Sequence, residues 1–375
     1  MSPADIMIVG LFPDLLPVGG VQTAGRHTAA VLSRIGDERG WATRFLSLND
    51  PNGTHVSGTG DIRFEFDGFA RSKPRFTTEA LRSANRDTRL VLAAHPNLAV
   101  PALAIRARAH RFRFVVLSHG VEIWKPLSGL RCACLRRADL VLAPSRDTAQ
   151  KLYEVQGVPQ SNIRVLHWGL DPSFFDLVNR AENLPLPDSF PRAPYVLSVG
   201  RWSSAERYKG LDTLIQALPE LLRTVPNLQL VFVGESDDRP ALERLASDQH
   251  VGERVHFVSG ISREQLVAAY AHAEVFALPS GGEGFGFVFL EAMALGKAVV
   301  GGNHGGIPDI IEDGVTGFLV EHGSVTQLAE KISILLTNQS LRDDMGRQGR
   351  ARVLQSFGFQ SFESGFRDIL VSSGI

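Results

Sequence analysis

Cysteine is nearly absent. The 375 residues hold two, Cys132 and Cys134. Residues two apart on a helix face different directions. Neither a disulfide nor a metal pair is therefore expected, and reduced thiols suit a cytoplasmic setting. An excess of one charge sign is also lacking, because 39 Lys and Arg stand against 40 Asp and Glu. No run approaches the roughly 20 apolar residues of a membrane span. The opening MSPADIMIVGLFPDLLP lacks both the basic start and the long apolar run of a secretory leader. Further absences narrow the chemistry. There is no GxxxxGK[ST] phosphate loop, no GxSxG nucleophile elbow and no His/Cys cluster with metal spacing. There is no Asp-x-Asp pair to hold a divalent ion on a diphosphate. No metal and no cofactor are expected.

What is present is alternation. Short apolar runs, from IMIVGLF (6–12) to GFLV (317–320), are separated by helical periodicities such as GLDTLIQALPELLRTV (210–225) and SREQLVAAYAHA (262–273). Ser262 and Gln265 have capping-box spacing. Continuous apolar runs fit strands covered on both faces. Strand–helix alternation fits parallel sheets with helices on each side. The fold class read from this is α/β, with two Rossmann-like doubly wound domains facing across a cleft. The segment ENLPLPDSFPRAP, with four prolines in thirteen residues, marks a linker at 182–194. The expected domains are 1–181 and 195–356, with a last helix over 357–375.

Charge differs between the halves. Residues 1–180 carry 23 basic and 16 acidic residues, a balance of +7, against 16 and 24, or −8, for 181–375. Either the first half meets something anionic or the charge is scatter. The basic run RARAHRFRF (106–114) is open to a lipid surface or to a helix end that delivers Phe112 and Phe114 into a strand. Nucleic-acid binding is not expected.

Three stretches at strand ends suit a phosphorylated ligand. SVGRWSSAERYKG offers Arg201 and Lys209 before a helix start, a diphosphate site or simply two solvated cations. SGGEGFGFVFLEAMALG places Glu283, Gly284, Phe285 and Gly286 at a helix N-terminus, with Glu291 inside that helix. Eight residues and a turn keep the two glutamates from forming a tight acid–base pair. They suit two ends of one long ligand with paired hydroxyls, or a helix cap and a salt bridge. GGNHGGIPDIIEDG opens a short helix at Gly305 and Gly306 with N–H groups expected to be exposed. In the first half, LPVGGVQTAG sets Gly19 and Gly20 between strand and helix. That is no GxGxxG fingerprint, and the acidic residue due about 20 positions later is missing, which disfavours a dinucleotide oxidoreductase. VVLSHG ends a strand at His119; His95, His167 and His304 stand in similar places and rank below it. Ser236–Asp238 reads as a surface turn.

In order and spacing, these pieces resemble the family-four retaining glycosyltransferases of the GT-B fold. The EGFG stretch followed by Glu291 resembles that family's Glu-x7-Glu signature, and GKAVVGGNHGGIPDIIEDGVTGFLV its next block. The chain departs from the pattern at VGESDDRP and at Asp309. The resemblance implies that Arg201 and Lys209 grip a nucleotide-sugar diphosphate and that Glu291 holds the ribose. It implies that Glu283 and the Gly284–Gly286 backbone, Phe285 included, hold the sugar. Gly19 and Gly20 form the amino-terminal glycine loop, with Gly20 near the diphosphate. His119 lies near sugar and acceptor, and the final helix crosses back to the first domain. The expectation is a metal-independent retaining hexosyltransferase that moves a hexose from a UDP- or GDP-sugar to a glycolipid or polysaccharide-precursor acceptor with an α-linkage. Peripheral contact with an anionic membrane through the basic first domain is part of it. The alternatives are a phosphorylase- or epimerase-type GT-B enzyme and a non-catalytic nucleotide-sugar binder.

Overall fold

The computed structural model describes residues 6–58, 63–107, 109 and 111–374, so Arg108 and His110 of the basic run lie outside the described residues. The chain forms two compact units, Met1–Asp171 with Phe359–Ile375, and Pro172–Gly358. Residues 172–181, expected in the first domain, and the proline-rich stretch 182–194 cluster with the second unit, as do 357 and 358. A local reason is visible. The helix Pro172–Val178 meets the helix Arg263–His272, where the Arg263 Nη1 donates to Ser173 Oγ at 3.2 Å and the guanidinium lies 5.6 Å from the Phe174 ring centre. The capping box at Ser262 and Gln265 is formed.

The first unit is built on β1 (Met7–Phe12), β2 (Ala42–Ser47), β3 (Gly53–Ser57), β4 (Phe64–Gly68), β5 (Thr88–Ala93), β6 (Arg113–Leu117), β7 (Leu140–Ala143) and β8 (Ile163–Val165). These strands make one sheet in the order β3-β4-β2-β1-β5-β6-β7-β8. The β3–β4 pair is antiparallel and the other pairs are parallel. The central strands are the apolar runs, and their side chains are buried on both faces. β2, β3 and β4 lie outside the runs read from the sequence. In FEFDG, paired between β3 and β2, the burial alternates, which is the pattern of a strand covered on one face rather than on both.

The helix Phe359–Ser372 belongs to this unit and packs on the helix Gly20–Arg39. Its buried stripe is Phe359, Phe362, Phe366 and Leu370, at helical spacing. Arg367 grips Glu38 with two bonds of 2.8 Å, and Arg34 pairs with Glu363. His27 is sealed beneath, 5.0 Å from the Phe359 ring centre and 3.8 Å from the Asp171 carboxylate. Burial holds its pKa below the ordinary value, against the pull of Asp171.

The second unit holds β9 (Tyr195–Val199), β10 (Gln229–Val233), β11 (Val255–Val258), β12 (Val275–Leu278), β13 (Val299–Gly302) and β14 (Gly317–Val320). They form a parallel sheet in the order β11-β10-β9-β12-β13-β14. The winding direction reverses between β9 and β12, and in the first unit between β1 and β5. Ligands of such sheets bind at the carboxyl ends of the strands flanking that reversal.

Candidate functional site

In the second unit, the segments leaving β9 and β12 sit at the switch point. They carry Arg201, Lys209, Glu283 and the Gly284–Gly286 turn. After β9, Trp202 turns inward and is 4 % exposed, while Arg201 points outward. Lys209 Nζ donates to the Arg201 carbonyl at 3.0 Å. One residue not singled out from the sequence ties the two cations together. Glu206 accepts from Arg201 at 3.0 Å and lies 3.5 Å from Lys209 Nζ.

The loop is braced from the turn after β10. Asp237 accepts from the Ser204 N–H at 2.7 Å, and Asp238 takes two bonds from Arg207 at 2.9 and 3.1 Å. Asp237 is exposed, as a surface turn implies, but Asp238 is buried, so the turn also acts as a structural brace. This is also where VGESDDRP departs from the family pattern, and the departure supports the Arg201 loop.

Glu283 stands within the field of Lys209. Burial raises its carboxyl pKa; Lys209 opposes the rise and Glu206 adds to it. Its backbone is clamped by the glycine pair after β13, because the Gly306 N–H donates to the Glu283 carbonyl at 2.7 Å. That N–H is spent, which corrects the expectation that it is exposed. Gly305 has φ 63°, and a Cβ there would meet the Glu283 nitrogen at 2.6 Å, so only glycine suits the position. Gly286, with φ 114°, caps the helix Phe287–Ala294. The Phe285 ring is buried against Phe287 and Phe357, so this side chain serves packing.

Glu291 lies on the second turn of that helix. Tyr270 donates its hydroxyl to Glu291 Oε2 at 2.9 Å, and Arg263 is close enough to favour the anion. The residue is half-buried, with its carboxyl group turned into the protein. Burial pushes its pKa from 4.5 up to about 7, against Tyr270 and Arg263. The Tyr270 phenol is in turn pushed well above its ordinary value by burial and by Glu291. The unit thus presents two separate grips. Arg201, Glu206, Lys209 and Glu283 form one. Glu291 with Tyr270 forms the other.

In the first unit, Gly19 and Gly20 start the helix Gly20–Arg39 directly after the β1 loop. The buried Asp50 fixes that loop by accepting from the Leu15 N–H at 2.7 Å and the Leu16 N–H at 3.3 Å. His119 follows β6. Its Nε2 donates to the Ala94 carbonyl at 2.7 Å, so Nδ1 is the nitrogen not committed to that bond. Its backbone N–H donates to Glu122 at 2.6 Å. His95, ranked below it from sequence, stacks on it with ring centres 5.9 Å apart. The His95 pKa falls to about 4, chiefly through burial, and the charge of Asp14 on the β1 loop reaches it. The β1 loop and the histidine pair therefore share the switch-point end of this sheet. His304 lies 3.6 Å from Glu321. Among the described residues no group of three or more His, Cys, Asp or Glu is arranged to hold a metal, and no helix is long and apolar enough to cross a membrane.

Comparisons with known proteins bear on the family and the fold. The family described as Glycosyl transferases group 1 matches residues 181–352, and Glycosyltransferase Family 4 matches residues 18–174. A GDP-mannose-dependent alpha-(1-6)-phosphatidylinositol monomannoside mannosyltransferase of Mycolicibacterium smegmatis is 36% identical over 290 residues, 72% of each chain. Among solved structures, sucrose-phosphate synthase from Thermosynechococcus elongatus superposes with a TM-score of 0.75 at 24% identity, covering 98% of both chains. Anabaena HepE in complex with UDP-glucose does so with a TM-score of 0.70 at 20% identity, covering 98% of this chain and 99% of the other.

Proposed function

Because the chain belongs to glycosyltransferase family 4, enzymes of the GT-B fold, we propose that it is a retaining, metal-independent hexosyltransferase. The donor is a nucleoside-diphosphate hexose. GDP-mannose is the first candidate, since a relative 36% identical is named for it. The acceptor is a hydroxyl of a lipid-linked saccharide or phosphoinositide-type glycolipid, so the enzyme works peripherally at a membrane face. The new linkage is α.

The carrying observation is the Arg201–Glu206–Lys209 cluster beside Glu283 at the switch point. Breaking the sugar–phosphate bond leaves the electron pair, and so new negative charge, on the diphosphate. Arg201 and Lys209 supply two fixed cations where that charge develops. Glu206 holds both in place until the diphosphate displaces it. Glu291, with Tyr270 fixing one oxygen, accepts hydrogen bonds from the ribose hydroxyls through the other. Glu283 accepts from hydroxyls of the hexose. The acceptor oxygen forms its bond to the anomeric carbon on the face the diphosphate leaves, and its proton passes to the departing phosphate oxygen. No enzyme nucleophile is required. His119 is assigned to hydroxyl contacts through Nδ1, an acceptor in the neutral ring.

The test is a thermal-shift panel of nucleotide sugars, followed by transfer from the stabilising donor to a glycolipid acceptor with chelator present. The anomeric configuration of the product is read by NMR. An inverted product overturns the retaining mechanism. Loss of all turnover on chelation, restored by a divalent ion, overturns metal independence. Donor binding without transfer to any acceptor moves the reading to a non-catalytic binder.

A further inference from the structure

A cationic cavity lies at the end of the first sheet that the proposed chemistry does not use. Trp41 precedes β2, Arg89 is the second residue of β5, Arg113 starts β6 and Asp139 precedes β7. Together with Arg106 and Arg111 they line a cavity of about 520 Å³ at the amino ends of adjacent strands. Donor and acceptor chemistry belongs to the carboxyl ends, so these arginines need another explanation.

Among the described residues their charges are not balanced. The four arginines there share one carboxylate, Asp139, which already accepts from the Phe114 N–H at 2.7 Å and from Arg106 at 3.3 Å. Arg89, Arg111 and Arg113 are exposed and meet no carboxylate among the described residues. Arg106 Nε is buried without a hydrogen-bond partner, and its guanidinium is held 5.2 Å from the Phe112 ring centre. Arginines converging on one cavity repel one another unless an anion enters, and their planar forks suit phosphate oxygens.

A second, smaller cavity of about 150 Å³ adjoins the first and shares Trp41 as a wall. Its floor is apolar, made by Ile8, Leu32, Ile35, Leu90 and Leu370. The Arg39 guanidinium lies 4.7 Å from the Trp41 ring centre at its rim. A cationic hollow and an apolar hollow divided by a tryptophan match an amphiphile with a phosphate head.

We propose that this end of the first sheet is a binding site for the phosphate headgroup of an anionic membrane lipid, with the apolar hollow taking the start of its hydrocarbon. The proposal deepens the membrane-face part of the proposed function and rests on it. It assigns the contact to Arg89, Arg106, Arg111 and Arg113 rather than to the basic first unit at large.

The experiment is co-sedimentation of the full chain with vesicles of phosphatidylglycerol and phosphatidylcholine, and with phosphatidylcholine alone. The Arg89→Gln/Arg113→Gln variant is compared with an Arg71→Gln/Arg75→Gln variant, which removes equal charge elsewhere on the unit. At about 1 kcal/mol per arginine near an anionic surface, the cavity pair weakens anionic-vesicle binding roughly 30-fold. The control pair leaves it unchanged, and both variants keep wild-type turnover on a soluble acceptor. If the double variant does not fold, each single variant is measured, with about a fivefold loss expected. Wild-type binding by the cavity variants overturns the site while membrane contact stands. Equal losses in both pairs also overturn it, as contact is then diffuse. No binding of the wild-type protein to anionic vesicles overturns the site and the membrane-face reading together, leaving transfer untouched. Arginine-dependent binding of soluble inositol hexakisphosphate, with vesicle binding unaffected, overturns the lipid assignment.

Discussion

Replacing Glu291 by glutamine should stabilise the fold while disabling the enzyme. The carboxyl pKa is raised from 4.5 to about 7 by burial. A raised carboxyl pKa means that the folded state holds the proton more tightly than the unfolded state. The associated stability is fully present below pH 4.5, falls as pH rises, and is lost above about 7. A shift of about 2.5 units corresponds to about 3 kcal/mol. Glutamine keeps the shape and can still accept the Tyr270 hydroxyl bond, but it carries no charge. Glu291→Gln should therefore exceed the wild type by about 3 kcal/mol near pH 8, with little difference near pH 4.5. For a unit of this size that is up to about 10 °C in Tm. Donor affinity should fall by at least about a hundredfold, since two charge-assisted hydrogen bonds to the ribose weaken. Thermal melting at both pH values, with calorimetric donor titration, reads both effects. A variant that melts with the wild type near pH 8, or whose advantage is equal at the two pH values, refutes the reasoning.

Other outcomes follow from the same geometry. Lys209→Ala should weaken donor binding roughly tenfold to a hundredfold, the worth of a charge-assisted contact; unchanged affinity removes Lys209 from the diphosphate site. Glu206→Gln frees Arg201 and Lys209 from an internal competitor, so donor affinity should tighten, most clearly at low salt; weaker binding would make Glu206 a support the site cannot spare. His119→Ala should lower turnover more than donor affinity, and equal losses in steady-state and binding measurements would deny it a role in the reacting complex. Gly305→Ala forces a left-handed φ on a side chain, at about 1–2 kcal/mol, and drives a Cβ into the Glu283 backbone. Donor binding should fall well before the fold is lost in melting experiments.

The sequence was most legible where one physical signal dominated. Continuous apolar runs announced β1, β5 to β7 and the second sheet, because both faces of those strands are covered. β2 to β4 escaped the same reading because they are only partly covered: β2 is buried over its last three residues, β3 is a largely exposed edge, and β4 alternates. Glu283 and Glu291 could be separated into two grips from spacing alone. Their partners could not be read. Tyr270 is 21 residues from Glu291 and meets it only because two helices pack together. Glu206 lies between the two cations in sequence, but its role depends on how the loop folds back. Asp50 braces a loop 35 residues away, and Gly306 spends its N–H on Glu283 across a turn that no local pattern reveals. Sequence shows which residues can do chemistry. The supports that aim them are long-range contacts.

The discontinuity of the first unit bears on how the chain is made. Its hydrophobic stripe from Phe359 to Leu370 covers His27 and the helix Gly20–Arg39, yet it leaves the ribosome after the whole second unit has emerged. The second unit is continuous and can close its core as soon as Gly358 is available. The usual amino-terminal-first order of domain folding therefore cannot run to completion here, because the first unit needs the last helix. The earlier-synthesised unit must wait, with an apolar groove open, for the last helix. During that interval the groove is exposed apolar surface open to chaperones.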